Sequence, residues 1–216
     1  MTPFELERAL TGRMAARACR NLMGRYCFYR TAMRGEDIMA MWSKAPDARC
    51  EMPWGVYDGW DSVRRRYVEE QPAHGDLEAR RGSLVINALS TCAFEVAGDT
   101  RTARGIWMCQ GVHTEVKDGK ADCRWIWTKY GVDFIFEDGQ WRIWHLAIYP
   151  LIDTPYEKRW YDNPKLTVES FRGVHPDRKP TARSLWSMHV DNPYPLGHPA
   201  IPRPYDNFDH EVGYGY

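Results

Sequence analysis

The sequence lacks the cysteine and histidine spacings that metal sites and disulfide frameworks use. Its six cysteines contain no CxxC pair, and its seven histidines form neither an HxxxH nor an HExxH motif. Single cysteines on apolar strands behave as small hydrophobic side chains, whereas a structural zinc site needs ligands at short, regular spacing. We therefore expect no disulfides, no metal ion and no cofactor.

An excess of charge of one sign is also absent, and so is a long apolar run. Lysine plus arginine and aspartate plus glutamate both number 29, so no net field draws the chain to nucleic acid or to an anionic membrane. No stretch approaches the roughly 20 apolar residues of a membrane span, and the N-terminus has no signal-peptide pattern. We expect a cytoplasmic protein whose partner is a small molecule, with no nucleic acid and no membrane.

Proline is scarce before residue 150, whereas aromatic residues are abundant throughout. Ten of the 14 prolines lie from Pro150 onward, a density that forbids regular sheet or a long helix. The chain also holds 10 Trp and 12 Tyr, and some of these polar-tipped rings should face a ligand or a partner. The sequence predicts one domain at 1–150 and an extended, aromatic-rich tail at 151–216 that packs on the body or on a neighbouring subunit.

The hydrophobic period changes from helical to alternating near Ser83. Apolar residues recur at steps of three and four in three predicted helices, at 13–32, 37–42 and 62–71. Three turn signals then divide the alternating part: Gly98-Asp99, Asp118-Gly119 and Asp138-Gly139. The four predicted strands are 84–97, 100–116, 121–137 and 140–150. This order predicts an α+β fold with an antiparallel meander.

Two-residue Asp-Gly loops determine the register of the last two hairpins. Residues that flank such a loop pair, and the pairs continue outward. His145 then falls opposite Val132, and Tyr130 falls opposite both Ala147 and Trp107. Paired residues project to the same side. One face of the meander therefore carries Trp107, Cys109, Gly111, His113, Thr128, Tyr130, Val132, Phe134, His145 and Ala147.

The two faces of this predicted meander differ in chemistry. The first face mixes small and polar-tipped side chains, which is typical of a pocket lined by hydrogen-bonding groups. The opposite face carries large flat side chains and an Arg104–Asp133 ion pair, which is typical of a subunit interface. We therefore expect a homodimer or higher homo-oligomer that uses Trp125, Trp127 and Trp144. A bulge would exchange the faces beyond it, and Lys129 would then enter the pocket.

A family resemblance rests on three segments: GRYCFYRTAMRGEDIMAMW, VAGDTRTARGIW and YGVDFIFEDGQWRIWH. Together they resemble the SnoaL-like enzymes of the nuclear transport factor two-like fold, over residues 10–150. The resemblance implies a strongly curved sheet that encloses a cone-shaped pocket with the N-terminal helices, and dimers that form through the sheet's outer face. The family includes dehydratases, isomerases, cyclases and hydrolases, mostly without metal or cofactor, so the fold does not determine the reaction.

The resemblance and the register together select the candidate site residues. Tyr29 matches a helix tyrosine of the family's dehydratases, but the aspartate that follows about five residues later is Arg34 here, and the usual sheet histidine is replaced near Ser83. An imidazole titrates near pH 6.5, which suits His145 to carry protons. The predicted catalytic residues are Tyr29, Arg34, Tyr130 and His145. The predicted substrate-binding residues are Trp54, Trp107, His113, Thr128 and Lys129.

Several functions remain open from the sequence. The chain's length, Trp-rich sheet and proline-rich tail resemble those of the cofactor-free lyases that remove formaldehyde from lignin-derived diaryl dimers. That resemblance implies a phenolic aromatic substrate that loses water and formaldehyde through a quinone methide to give a stilbene. One alternative is a dehydratase or isomerase of a polycyclic, steroid-like substrate. Another is a non-catalytic ligand-binding or adaptor module, in which His145 would be a structural histidine bonded to its neighbours.

Overall fold

The helices and strands follow the predicted order. The computed structural model describes residues 2–71, 75–117, 119–162, 173–181 and 199–214. The helices are α1 (Pro3–Thr31), α2 (Gly35–Met39) and α3 (Gly59–Arg64), the last continued by a π-helical turn at Arg65–Glu69. The strands are β1 (Arg49–Met52), β2 (Gly55–Asp58), β3 (Leu84–Val96), β4 (Thr102–Lys117), β5 (Lys120–Glu137) and β6 (Gln140–Pro155).

Helix α1 begins ten residues before the predicted start because its first turn is capped. The side chain of Thr2 accepts a hydrogen bond from the backbone N–H of Glu5, and the Glu5 carboxylate accepts one from the N–H of Thr2. This reciprocal capping box satisfies two donors that a helix otherwise leaves unpaired. A proline at the first helical position adds to the start signal. The helix then packs across β3 and β6.

Six strands form one curved, open sheet in the order β2-β1-β6-β5-β4-β3. The predicted meander is confirmed as β3 to β6, and β1 joins it by pairing in parallel with β6. Register shifts interrupt the β3–β4 pairing once and the β5–β6 pairing twice. Such bulges bend long strands and raise their twist. The α+β fold class is therefore confirmed, with helices on one face of a mostly antiparallel sheet.

The register between β4 and β5 agrees with the prediction over its whole length. Trp107 pairs with Tyr130, Cys109 with Thr128, and the ladder continues to the next turn. In the last hairpin, Asp138 and Gly139 both have positive φ, as a two-residue hairpin turn requires. In the preceding turn, Asp118-Gly119, Gly119 also has positive φ, and Asp118 lies outside the described residues.

A bulge at Trp144 changes the register of β6. The pairing follows the prediction up to Phe134–Ile143, and then His145 pairs with Asp133 instead of Val132. A shift of one residue sends every following side chain to the other side of the sheet. The prediction that His145 and Ala147 share a face with Trp107 was therefore wrong. Because the inserted residue lies on β6, β5 keeps its predicted orientation and Lys129 still pairs with Met108.

We call the face that carries Trp107 and Tyr130 the inner face, because helix α1 covers it. The Trp107 ring packs edge-on against Phe94 and Phe134 with ring centroids 6.1 Å apart in both pairs. It lies over β4 itself, where Gly105 has no side chain to obstruct it. The main hydrophobic core lies between this face and α1, so the inner face is largely filled by aromatic side chains.

The opposite, outer face is covered around Gly131, Asp133 and Trp144 by the C-terminal residues 199–214. The backbone N–H of Tyr214 donates to Asp133 Oδ2 at 2.8 Å, and its ring lies where a side chain at Gly131 would be. Phe208 covers Trp144, with ring centroids 4.6 Å apart. Strand β6 itself runs to Pro155, beyond the predicted boundary at residue 150. Residues 163–172, 182–198 and 215–216 of the predicted tail lie outside the described residues. None of the described helices is long and apolar enough to cross a membrane.

Candidate active site

Three buried tyrosines meet on the inner face, from three different elements. Tyr26 comes from α1, Tyr67 from the π-helical turn and Tyr130 from β5. The hydroxyls of Tyr26 and Tyr67 are 2.9 Å apart, and the Cys50 thiol lies 3.4 Å from the Tyr67 hydroxyl. The Tyr26 and Tyr130 rings pack edge-on at 6.2 Å. Burial raises the pKa of all three tyrosines, so each keeps its proton and can donate it in a hydrogen bond.

Two buried arginines flank Tyr67. The guanidinium carbon of Arg30 lies 5.9 Å from the centre of the Tyr67 ring, and that of Arg66 lies 5.8 Å from it. Arg66 also lies over the Trp54 ring at 4.8 Å, while Arg30 donates to Gln71 Oε1 at 2.6 Å. Within the described part of the chain, neither arginine forms an ion pair with a carboxylate. The site therefore has a positive charge.

The π-helical turn explains why Arg66 and Tyr67 are both buried although they are adjacent in sequence. In an α-helix successive residues point about 100° apart, so a narrow apolar stripe seldom includes two neighbours. The wider turn at Arg65–Glu69 places both side chains toward the sheet, at 6% and 1% exposure. Such π-helical turns occur frequently at functional sites.

His113 is the histidine of the inner face. It is half-buried on β4, and its Nε2 lies 3.2 Å from the amide oxygen of buried Asn87. Gly111 leaves the room that the Asn87 side chain occupies. Since an amide oxygen only accepts hydrogen bonds, Nε2 carries the proton and Nδ1 holds the lone pair. Burial, and then the positive charges of Arg30, Arg66 and Arg124, lower the pKa of His113 to about 4. The imidazole is therefore neutral at physiological pH.

The third arginine near His113 is balanced by a carboxylate. Arg124 pairs with His113 across the strands, and it forms an ion pair with Asp153 on β6. A second bulge, beyond Trp127, turns Asp153 to the inner face. Burial raises the pKa of this carboxyl group, while Arg124 opposes that effect. The charge of Asp153 therefore compensates Arg124, and Arg30 and Arg66 have no such compensating carboxylate in the described segments.

The SnoaL-like domain model matches residues 14–147, well over half of the chain. The protein belongs to the SnoaL-like domain family. Solved structures with the same fold include LinA, with 16% identity, a TM-score of 0.56, and 73% of this chain and 99% of that chain covered. They include the hexachlorocyclohexane dehydrochlorinase LinA-type3 of Novosphingobium barchaimii, with 17% identity, a TM-score of 0.54 and coverage of 70% and 97%.

A third solved structure is a protein of Novosphingobium aromaticivorans that is provisionally assigned as a scytalone dehydratase. It has 16% identity and a TM-score of 0.51, and the match covers 66% of this chain and 88% of that chain. No curated protein matches the sequence. At these identities the solved structures establish that the SnoaL-like fold is shared. The reaction has to be argued from the site of this chain.

Five of the predicted site residues lie on or beside the inner face of this SnoaL-like domain. Tyr130 and His113 belong to the cluster described above, and Trp54 stacks on Arg66. Thr128 is buried on β5 opposite Cys109, and Trp107 is part of the aromatic core. Among the described residues, no group of three or more His, Cys, Asp or Glu is placed to hold a metal ion.

Four predicted site residues lie elsewhere. Arg34 is exposed, donates to Asp37 through Nε and Nη2, and has its guanidinium carbon 5.2 Å from the ring centre of half-buried Tyr29. Tyr29 lies within α1 and packs partly against the main core, whereas Arg34 lies beyond the end of that helix. Lys129 is on the outer face, opposite Met108 and Tyr149. His145 is on that face too, fully buried, with Nδ1 3.0 Å from Asp133 Oδ2.

His145 is therefore part of an outer-face cluster and does not reach the inner-face tyrosines. Asp133 links it to Arg104, whose Nε lies 3.3 Å from Asp133 Oδ1. The Phe208 ring covers both His145 and the Arg104 guanidinium. His145 therefore bonds a buried aspartate beneath the C-terminal segment.

Tyr26, Arg30, Arg66 and Tyr67 are inner-face residues that the sequence analysis did not select. A signal existed for the first two, because Tyr26 and Arg30 are four residues apart and lie on the same side of a helix. Within α1, Cys19, Met23 and Tyr26 are fully buried and Arg30 is nearly so, whereas Leu22 and Tyr29 are only partly buried against the core. For Arg66, in a run of three arginines, nothing in the sequence indicates which one points inward.

Proposed function

We propose that this protein is a cofactor-independent lyase that performs an elimination on an aromatic substrate at the inner-face site. The observation that supports the proposal is the position of His113, a neutral imidazole on the same face as three protonated tyrosines. An elimination needs a base to take a proton and an acid to protonate the leaving oxygen. The site supplies both without a metal.

His113 acts as the base in this proposal. With its Nε2–H directed at Asn87, the Nδ1 lone pair is free to accept a proton from the substrate. The low pKa of His113, about 4, keeps the imidazole unprotonated across the neutral range. The same low pKa means that the imidazolium, once formed, releases its proton readily to solvent. Asn87 holds the ring in one tautomer and one orientation, as a positioning residue.

The tyrosines act as acids. A hydroxide that leaves a benzylic carbon is a much stronger base than a phenolate, so even a tyrosine with a raised pKa protonates it. Tyr67 can recover its proton through Tyr26, 2.9 Å away. The Cys50 thiol is unsuited to nucleophilic catalysis, because burial raises its pKa to about 12. Acid–base chemistry therefore fits this site better than covalent catalysis.

The names of the solved relatives fit the same class of reaction. A dehydratase removes water and a dehydrochlorinase removes hydrogen chloride, and both names denote eliminations. For this chain we propose a phenolic diaryl substrate with a benzylic hydroxyl and a terminal alcohol. Loss of water gives a quinone methide, and loss of formaldehyde then restores the aromatic ring and leaves a stilbene. Atoms and electrons balance without an oxidant, because the ring itself accepts the electrons of the broken carbon–carbon bond.

The test is turnover of phenolic 1,2-diaryl-1,3-propanediols by the purified protein. Formaldehyde release and stilbene absorbance should rise together in equal amounts. His113→Gln keeps a donor for Asn87 but has no base, so it should lower turnover by about 100- to 10,000-fold. The matched control is His210→Gln, at an exposed position of the C-terminal segment.

Other outcomes discriminate the alternatives. A product that has lost water but keeps its terminal alcohol identifies a dehydratase. Saturable binding without any product identifies a binding module. If His113→Gln retains turnover within about threefold of the parent, far less than the loss of a catalytic base costs, then His113 is not the base.

A further inference from the structure

Arg30 and Arg66 are buried cations that have no anionic partner among the described residues. Arg66 is 6% exposed and Arg30 is 9% exposed. Arg66 contacts the Trp54 and Tyr67 rings, its Nε is buried without a hydrogen-bond acceptor, and no carboxylate in the described part of the chain lies within ion-pair distance of it. Arg30 has one neutral acceptor, Gln71. Two charged groups that fold to the same side of the sheet are thus left unneutralised.

Such an arrangement is costly for the protein alone. A buried guanidinium that lacks a carboxylate loses hydration and recovers only part of it from cation–π contacts. Most other arginines packed on this body do have acidic partners: Arg49 with Asp58, Arg104 with Asp133 and Arg124 with Asp153. The exception therefore lies beside the three buried tyrosines, and the charges of both arginines also act on His113.

We propose that Arg30 and Arg66 form an anion-binding site that holds a negatively charged oxygen group, a carboxylate or an ionised phenol, on an aromatic ligand. A planar guanidinium matches such a group with two parallel N–H donors. Trp54 and Tyr67 hold the Arg66 guanidinium between them, which sets its orientation before a ligand binds.

The inference deepens the proposed function and rests on it for the identity of this site as the substrate site. In the proposed elimination, an ionised phenol on the substrate expels the benzylic hydroxyl, and the same oxygen becomes negative again when formaldehyde leaves. Arginines at that oxygen favour both negatively charged species over the neutral quinone methide between them. The substrate would then bind with its phenolate toward Arg66 and its aliphatic alcohols toward His113.

The experiment compares charged ligands with neutral ones of the same shape. Benzoate against benzamide tests the carboxylate, and 4-nitrophenol, whose absorbance reports its ionisation, tests the phenolate. By calorimetry, the parent protein should prefer benzoate over benzamide, or nitrophenolate over nitrophenol, by on the order of 10- to 100-fold, as expected for charge-assisted hydrogen bonds. The ligand pair that shows the preference identifies whether the site binds a carboxylate or a phenolate.

The variants Arg66→Met and Arg30→Met should each lose most of this preference. Arg66→Lys keeps the charge without the planar fork and should retain part of it. The matched control is Arg25→Met, at an exposed position of α1, which should bind as the parent does. Because methionine removes a buried charge that has no carboxylate partner, the denaturation midpoint of Arg66→Met should equal or exceed that of the parent.

An unchanged anion preference in both methionine variants would overturn the inference, and so would a parent protein that shows neither preference, for benzoate over benzamide or for nitrophenolate over nitrophenol. A lowered midpoint of Arg66→Met with unchanged preference would show that the arginine serves packing. Anion preference without any elimination product would support the anion site and contradict the proposed lyase function. Elimination from a diaryl compound without an ionisable group would support the proposed lyase function and contradict the anion site.

Discussion

Two histidines show how the surroundings of a residue determine its role. His145 is enclosed by Asp133 and aromatic rings beneath the C-terminal segment, on the opposite side of the sheet from the inner-face site. His113 is half-buried near uncompensated arginines, and its hydrogen bond to Asn87 leaves one nitrogen free for chemistry. Residue type and strand position are alike for both. The two side chains point to opposite faces of the sheet, and this difference makes His145 a structural residue and His113 a candidate base.

The pH dependence of kcat/KM should report His113. Its folded-state pKa is about 4, below the ordinary value of 6.5, so the imidazole stays neutral and active above that value. Calculated for the ionised fraction of the substrate's phenol, kcat/KM should be flat from about pH 5 to 8 and should fall only as the pH drops toward 4, since the remaining acid limb follows the free enzyme's base. An acid limb centred near pH 6.5 would contradict this assignment. The readout is the initial rate at low substrate concentration in buffers of constant ionic strength.

At the scale of elements, the bulge in β6 couples the sheet to the C-terminal segment. It turns His145 outward, where Asp133 accepts hydrogen bonds from both the histidine and the backbone of Tyr214. Arg104 in turn donates to the backbone carbonyl of Asp209 at 2.7 Å. One buried carboxylate and one arginine thus attach residues 199–214 to β4, β5 and β6.

We predict that His145→Ala lowers stability and leaves the chemistry intact. The change removes a hydrogen-bond partner of a fully buried carboxylate, which should cost about 1–3 kcal/mol of unfolding free energy. Turnover per folded molecule should stay within about threefold of the parent, because a structural residue does not contribute to the chemical step. Denaturant midpoint and turnover are measured on the same preparation. A hundredfold loss of turnover at an unchanged midpoint would show that His145 is catalytic.

At the scale of the whole molecule, the C-terminal segment changes which surface is available for assembly. Trp144 was predicted to be part of a subunit interface, but it is buried beneath Phe208 and donates to Asp47. Trp125 and Trp127 remain 41% and 39% exposed, and Tyr156 stacks on Trp125 at 5.2 Å. Large aromatic groups that stay exposed together often mark an interaction surface.

We therefore keep the prediction of a homo-oligomer and restrict its interface to the patch of Trp125, Trp127 and Tyr156. Sedimentation at micromolar concentration should give a dimer or a larger assembly. Trp127→Glu should shift it toward monomer, because a carboxylate is disfavoured in the apolar centre of an interface. The circular dichroism of the variant should match that of the parent. A parent protein that sediments as a monomer would remove the prediction.

The features that can be predicted from the amino-acid sequence are those that depend on a few neighbouring residues. The helical and alternating periods, the Asp138-Gly139 turn and the whole β4–β5 register follow from contacts between residues that are close along a hairpin. They place His113 and Tyr130 on one face correctly. The Arg104–Asp133 pair across the same hairpin was predicted for the same reason and is confirmed.

The tertiary structure alone decided the features that depend on packing between distant segments. The bulge at Trp144 follows the curvature of the sheet and the C-terminal cover, neither of which is visible in a short window of sequence. The π-helical turn, which buries Arg66 beside Tyr67, forms where the end of α3 meets the core of α1 and β1. The site's positive charge results from that packing, because three adjacent arginines are chemically equal until the fold turns one of them inward.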